Sequence, residues 1–252
     1  MKLGLQVSSL KQFLQTPEDV LETFRKIKSI GYNYIQIEFM GEDVPAESVQ
    51  ESLDKSGLIC VGTQDMMFDN LYENIDNIIK RNILWQAKYA SASVIVASGE
   101  NEISELAEKL NAVSKKLNEN GMILEMHPLF ASYVIVNNAM PLDMLWERLD
   151  DKILLQPDFA HVVRGEANPV SIIEKYGSRI DEIHCKDYRL QEDNFILTPV
   201  GQGVIPYKEI VEACIKRGDI KYCWAEQETW EKDPFECMKE SFDFLVGCGL
   251  EA

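Results

Sequence analysis

The sequence predicts an α/β fold, a single (β/α)8 TIM barrel that takes up residues 1–252 as one domain. Short β-prone runs alternate with longer amphipathic stretches, and the cycle occurs eight times. A glycine or polar break closes most cycles. Parallel strands need helical crossovers, and eight such units close a sheet into a barrel. A doubly wound open sheet is the alternative, but the chain lacks the G-x-G-x-x-G and Walker signatures of its nucleotide-binding members.

The predicted strands are short runs rich in β-branched, aromatic and other apolar residues. They lie at residues 2–7, 34–38, 59–63, 93–97, 122–127, 153–158, 180–185 and 222–226.

The predicted helices follow the strands one by one, and several carry clear end signals. The first has Thr16 as N-cap, Pro17 at its first position and Gly31 after its last turn. Gly57 and Gly121 end the second and fourth helices in the same way. The eight helices lie at residues 17–30, 45–56, 71–88, 102–120, 140–149, 169–176, 207–217 and 234–246.

Charge and composition narrow the partners and the compartment. Forty-two acidic residues against 25 basic ones give a net charge of −17, which repels nucleic acid and anionic membranes. No apolar run approaches the roughly 20 residues that cross a bilayer. The six cysteines have no C-x-x-C spacing, and the first residues do not resemble a signal peptide. We therefore expect a cytoplasmic protein with free thiols.

Polar residues at the carboxyl ends of the strands are the candidates for chemistry, because those ends meet at one mouth of a barrel. The first four strands offer only scattered ones: Gln6, Glu38, Gln64, Asp65 and Ser98.

The last four strands offer a denser set, because Glu125, Asp158, His184 and Glu226 each close an apolar run. A single glutamate or histidine in such a place is usually solvated or structural. However, all three histidines of the chain fall within three residues after the last apolar residues of a predicted strand, so the joint pattern indicates a metal site. Three carboxylates and one imidazole suit Mn²⁺, Mg²⁺ or Co²⁺ better than a structural zinc.

Several motifs also resemble a known family. They are I-G-Y-N-Y-I-Q-I at 30–37, D-F-A-H at 158–161, H-C-K-D at 184–187, G-Q-G at 201–203 and E-Q at 226–227. The chain resembles the xylose isomerase-like TIM barrels over nearly its whole length. Its nearest likeness is to the sugar phosphate isomerase/epimerase group, which includes ketose 3-epimerases, inosose isomerases and inosose dehydratases.

The resemblance implies that one divalent ion per chain binds the same four residues that position alone selected. Mn²⁺ is the preferred ion, with Mg²⁺, Co²⁺ or Zn²⁺ as alternatives. It further implies that His161 and Lys186 contact substrate oxygens, that His127 binds substrate or supports a ligand, and that Asp187 orients Lys186 or a ligand. Relatives are often dimers or tetramers, which implies a homo-oligomer. Ketose 3-epimerases carry a second glutamate where this chain has Ala131, a departure from that subgroup.

These residues together predict an isomerase or epimerase acting on a small ketose, keto-sugar or cyclitol. A metal would stabilise the enediolate formed by proton loss beside the carbonyl, with Glu125 and Glu226 as acid and base. Trp230, in the loop after the last strand, is the preferred sugar-stacking residue. Arg164 and Arg189 could bind phosphate, but no dedicated cluster is evident, so an unphosphorylated substrate is expected.

Three other functions share parts of this pattern. Loss of a β-hydroxyl from the same intermediate would make the protein an inosose-type dehydratase. A barrel that binds sugar or metal without turnover would keep the same residues. Endonuclease IV-like repair enzymes need three metals and more histidines, and the net charge of −17 opposes DNA.

Overall fold

The computed structural model describes residues 1–97, 99–192 and 194–252. Ser98, the polar residue predicted to follow the fourth strand, lies outside them. Nine strands form one sheet in the order β6-β5-β4-β3-β2-β1-β9-β7-β8. Their bounds are β1 Lys2–Gln6, β2 Tyr34–Ile37, β3 Ile59–Asp65, β4 Tyr89–Val94, β5 Ile123–Pro128, β6 Leu154–Leu155, β7 Glu182–Gln191, β8 Asn194–Thr198 and β9 Tyr222–Glu226.

Eight of these strands pair in parallel and curl into a barrel, which confirms the predicted fold. β6 and β7 meet through one parallel bridge between Asp158 and His184. The backbone N–H of His184 donates to the carbonyl oxygen of Pro157 at 2.9 Å. The last gap in the ring is therefore closed by two of the four residues that the sequence predicts to bind a metal.

Helices connect the parallel strands on the outside of the barrel. Thr16 Oγ1 accepts a hydrogen bond from the Asp19 N–H at 3.2 Å, and Gly31 follows the same helix with a φ of 128°, which favours glycine. The helices are α1 Pro17–Ile30, α2 Ala46–Ser56, α3 Phe68–Leu84, α4 Glu100–Glu119, α5 Pro141–Trp146, α6 Phe159–Arg164, α7 Pro169–Tyr176, α8 Tyr207–Arg217 and α9 Pro234–Gly247.

The fourth strand differs from its prediction. Residues 93–97 were expected because valine and isoleucine favour strands, whereas β4 begins at Tyr89 and ends at Val94. Its alanines and serines are all buried. Small residues are accommodated here because the neighbouring strands and the covering helices enclose this strand on both faces.

Two of the elements that were not predicted lie close to the candidate residues. α6 begins directly after Asp158, so the sixth strand is much shorter than residues 153–158. β7 continues past the barrel and pairs in antiparallel fashion with β8, from Asp187 opposite Thr198 to Gln191 opposite Asn194. Both elements lie at the carboxyl ends of the strands.

The amino-terminal end of the barrel is filled by a small apolar cluster of Val61, Tyr89 and Trp224. The indole of Trp224 lies against β1, where a Cβ on Gly4 would be only 2.1 Å from the ring. A much larger core packs between the sheet and the helices. The barrel interior is therefore apolar at one end and polar at the other. No helix within the described ranges is long and apolar enough to cross a bilayer.

Candidate metal centre and active site

β5 sends two candidate side chains into the barrel. Glu125 and His127 are two residues apart, so both point to the same face, but at different depths. In the register with β4, Glu125 lies opposite Ser91, and His127 lies opposite Ser93 one pleat closer to the mouth. The Ser93 hydroxyl is 3.4 Å from His127 Nδ1. β5 therefore offers a carboxylate in one layer and an imidazole in the layer above it.

Asp158 is fixed by the unpredicted helix α6. Its Oδ1 accepts hydrogen bonds from the backbone N–H groups of Ala160, at 2.7 Å, and His161, at 3.3 Å, and so caps the helix. The cap turns the chain so that His161 Nε2 lies 3.9 Å from Asp158 Oδ2. The D-x-x-H spacing is thus the first turn of a helix at the barrel mouth.

His184 and Glu226 come from neighbouring strands, β7 and β9. His184 Nδ1 and Glu226 Oε2 are 2.6 Å apart. A carboxylate on one ring nitrogen fixes the imidazole and leaves Nε2 for another partner, an arrangement common around metal-binding histidines.

The structure brings His127, Asp158 and His184 together. One ligand atom from each lies within 4.8 Å of the others, and the two imidazole rings are 4.8 Å apart between centroids. His127 Nε2, His184 Nε2 and Asp158 Oδ2 are buried and accept or donate no hydrogen bond among the described residues. Leaving buried polar atoms without a partner is costly. The cluster therefore has the free donor atoms that a divalent cation needs, and two imidazoles with a carboxylate suit such an ion.

Lys186 is surrounded by three carboxylates. Its Nζ lies 2.8 Å from Glu228 Oε1, 3.2 Å from Glu226 Oε1 and 3.4 Å from Asp158 Oδ2. Burial alone would lower the pKa of Lys186, but these three carboxylates outweigh it and hold the pKa well above its usual value. Lys186 is therefore a fixed positive charge inside the mouth.

The same environment shifts the pKa values of Glu226 and Glu228 in opposite directions. Burial opposes ionisation of Glu226, but Lys186 and His184 hold its pKa well below the ordinary value. Burial and the nearby Glu226 raise the pKa of Glu228 to about 7. Burial, followed by the neighbouring His184, lowers the pKa of His127 to about 3, so the His127 imidazole is neutral. Neutral imidazoles and an ionised carboxylate are the forms that bind metals.

Glu125 lies in a polar layer below this cluster. Gln156 Nε2 donates to Glu125 Oε2 and to Glu182 Oε2, both at 2.9 Å. Trp224 Nε1 donates to the same Glu182 oxygen at 2.9 Å. Burial, followed by the charge of Glu182, raises the pKa of Glu125 well above its usual value and so favours its protonated form. Sequence reasoning missed Glu182, although its place two residues before His184 puts it on the same face of β7.

The remaining candidates lie around the mouth. Asp187, expected to orient Lys186 or a ligand, instead accepts hydrogen bonds from the backbone N–H groups of Tyr188, Gly201, Gly203 and Ile205. It therefore fixes the loop before α8. Trp230 is half-buried in the loop after β9. Its ring contacts none of the clustered histidines within the described part of the chain.

The site is closed in this conformation, because Asp158 and His184 have no exposed surface and Lys186 is only 8% exposed. A surface cavity of about 650 Å³ lies elsewhere, between α4 and the segment before β6, and none of the candidate residues lines it. Charge, burial and side-chain atoms without a hydrogen bond, rather than the shape of a cleft, therefore make the barrel mouth the candidate site.

Comparison with known proteins agrees with this architecture. The family model of xylose isomerase-like TIM barrels matches residues 24–247, so the chain belongs to that family. A sugar phosphate isomerase/epimerase from Parabacteroides distasonis superposes with a TM-score of 0.81 at 18% identity, over 97% of this chain and 93% of that one. The IOLI protein, solved with a bound zinc atom, superposes with a TM-score of 0.77 at 16% identity, over 98% of both chains.

A curated relative matches part of the chain. The inosose dehydratase of Lacticaseibacillus casei is 29% identical over 164 residues, which is 58% of this chain and 54% of that protein. The chain thus spans about half the length of the curated relative in this match.

Proposed function

We propose that the protein is a divalent-metal-dependent enzyme that isomerises or epimerises a small ketose, keto-sugar or cyclitol. The observation that carries the proposal is the buried group of His127, Asp158 and His184, each with a buried side-chain atom that makes no hydrogen bond among the described residues. The solved zinc-bound relative of the same fold supports a divalent ion.

Asp158 after β6, His184 on β7 and Glu226 on β9 are proposed ligands, and β5 supplies the fourth. Either Glu125, as the resemblance implies, or His127 fills that position. The geometry favours His127, because its Nε2 is unpaired in the cluster, whereas Glu125 accepts from Gln156 in the layer below. A divalent ion in this site would polarise a substrate carbonyl and its neighbouring hydroxyl and so acidify the adjacent carbon.

The side chains supply the proton transfers. Glu226 is held ionised by Lys186 and His184, so it is suited to remove a proton from carbon. Burial and Glu182 raise the pKa of Glu125 and favour its protonated form, so it is suited to return one. Lys186, which forms ion pairs with three carboxylates, is positioned to donate a hydrogen bond to a substrate oxygen. Delivery of the proton to the opposite face of the same carbon is epimerisation, and delivery to the neighbouring carbon is isomerisation.

The test is exchange of carbon-bound hydrogen in D₂O across ketoses, 3-keto sugars and inososes, with added Mn²⁺ and with a chelator. We expect exchange that the chelator abolishes. Glu226→Gln should remove exchange while sugar binding persists, and Glu231→Gln, in the exposed pair with Arg189, is the matched control. Exchange that survives the chelator or the Glu226→Gln change would contradict the proposal.

The β5 ligand is tested by metal content and affinity in His127→Gln and Glu125→Gln. Loss of a metal ligand should weaken binding by about tenfold or more. We expect the larger loss in His127→Gln. The reverse order would restore Glu125 as the ligand.

Dehydration is the second candidate, because the curated relative is an inosose dehydratase. The same removal of a carbon-bound proton followed by loss of a β-hydroxyl would give an unsaturated ketone. Ultraviolet absorbance of that product distinguishes the two reactions. Its appearance with inososes, without stereochemical inversion, would favour the dehydratase.

A further inference from the structure

Arg164 is the last residue of α6, the helix that Asp158 caps and that carries His161. Its guanidinium carbon lies 4.7 Å from the centroid of the Phe130 ring and 4.6 Å from that of Phe195. Phe130 follows β5, and Phe195 lies on β8. The guanidinium therefore contacts two aromatic rings at the carboxyl-terminal rim of the barrel.

The charge of Arg164 has no protein partner among the described residues. Five of the seven arginines form ion pairs with carboxylates: Arg81, Arg148, Arg179, Arg189 and Arg217. Arg25 also lacks such a pair, but it lies on α1 and has no aromatic contact in the described chain. An exposed, unpaired arginine at the rim is unusual in a chain of net charge −17, where acidic partners are abundant.

The contacts with the two rings restrict the side chain of Arg164 and so favour one kind of ligand. A cation–π contact uses the face of a guanidinium, while its N–H donors lie in the plane and stay available. A fixed guanidinium loses less side-chain freedom when it binds a planar or tetrahedral oxyanion. Lys186, the other cation of the mouth, is already surrounded by Asp158, Glu226 and Glu228.

We propose that Arg164 is an anion subsite and that the substrate carries an oxyanion group, a carboxylate or a phosphate, remote from its reacting carbonyl. The inference rests on the proposed function in that the rest of the substrate is a keto-sugar. It also revises the expectation of a neutral substrate. A sugar acid or sugar phosphate would place its carbonyl in the mouth and its anion at the rim.

Titration calorimetry of the metal-loaded protein tests this with three ligands that differ only at carbon 6: D-fructose, the corresponding 6-carboxylate and D-fructose 6-phosphate. We expect one anionic ligand to bind about tenfold or more tighter than fructose. Arg164→Gln should remove this preference. Arg25→Gln, at an exposed and unpaired arginine on α1, should keep it. Which anion is preferred decides between carboxylate and phosphate.

Equal affinity for the three ligands, or absence of binding by all of them, would overturn the subsite. So would equal losses in the two glutamine variants. Arg164→Lys keeps the charge but not the planar fork, so an intermediate preference is expected, and it serves if Arg164→Gln unfolds. Anion binding that depends on Arg164 without any hydrogen exchange at carbon would refute the proposed reaction and leave the subsite standing.

Discussion

At the scale of single residues, the space around Asp187 explains a glycine that the family motif requires. The Asp187 carboxylate accepts backbone hydrogen bonds from Gly201 and Gly203, both at 3.0 Å. A Cβ on Gly203 would lie 2.1 Å from Asp187 Oδ1 and 2.3 Å from the Tyr188 carbonyl oxygen. The glycine is therefore needed for close approach.

We expect Gly203→Ala to lower the free energy of unfolding by about 1–3 kcal/mol, because backbone and a buried carboxylate must move. Urea unfolding is the measurement. Gly247→Ala is the matched control, since nothing lies within 4 Å of its added Cβ at the end of α9. That change should be neutral or stabilise by up to about 1 kcal/mol. Equal effects of the two changes would contradict the argument.

The sequence could identify which residues point into the barrel, but not the layer in which each one lies. Glu125 and His127 share a face by the period of two, and that much is local. Their depth depends on how β5 is staggered against β4 and on the tilt of the strands, which arise only when the whole ring closes. This is why Glu125 lies beside Glu182, while His127 joins Asp158 and His184.

At the scale of elements, predictions agreed with the structure where the end signals are local. α1 has the predicted bounds because Thr16, Pro17 and Gly31 specify them. Elements determined by packing were missed. β4 consists mostly of residues with weak strand propensity. α6 begins because one carboxylate oxygen of Asp158 caps it, whereas the sequence analysis assigned Asp158 to the metal site.

The N-cap of α9 gives an element-scale prediction. Asp233 Oδ1 accepts from the backbone N–H groups of Phe235 and Glu236 at 2.9 and 3.1 Å. Asp233→Ala should lower the free energy of unfolding by about 1 kcal/mol, whereas Asp233→Asn should cost far less because asparagine also caps. Chemical unfolding of both variants is the measurement. An alanine variant as stable as the asparagine variant would show that this cap contributes nothing.

At the scale of the whole molecule, the reactivity of the cysteine thiols measures how tightly the barrel and the helices pack. All six are free thiols, and only Cys248 is not buried. Burial raises the pKa of Cys60 and of Cys214 to about 12. Thiolates are the reactive form, so these groups should be inert at pH 8.

We therefore expect one thiol per folded chain to react readily with a disulfide reagent at pH 8, and six after unfolding. Cys248→Ser should remove the rapid phase and leave the slow one. Rapid reaction of a second thiol would mean that the helical layer opens more easily than its packing indicates.

We expect the barrel to open first in solution at the weak pairing between β6 and β7. The other neighbouring pairs of barrel strands share at least two register positions, whereas β6 and β7 share one bridge, at Asp158 and His184. Local opening should begin there, so the amide of His184 should exchange with deuterium faster than those in β1 or β5.

A cation bound to both Asp158 and His184 would join β6 and β7, and exchange at His184 should then slow while β1 is unchanged. Amide exchange followed by mass spectrometry, with and without Mn²⁺, measures both, and uniform protection around the ring would contradict this order of opening. The proposed catalytic centre would then also hold together the two strands at which the barrel closes.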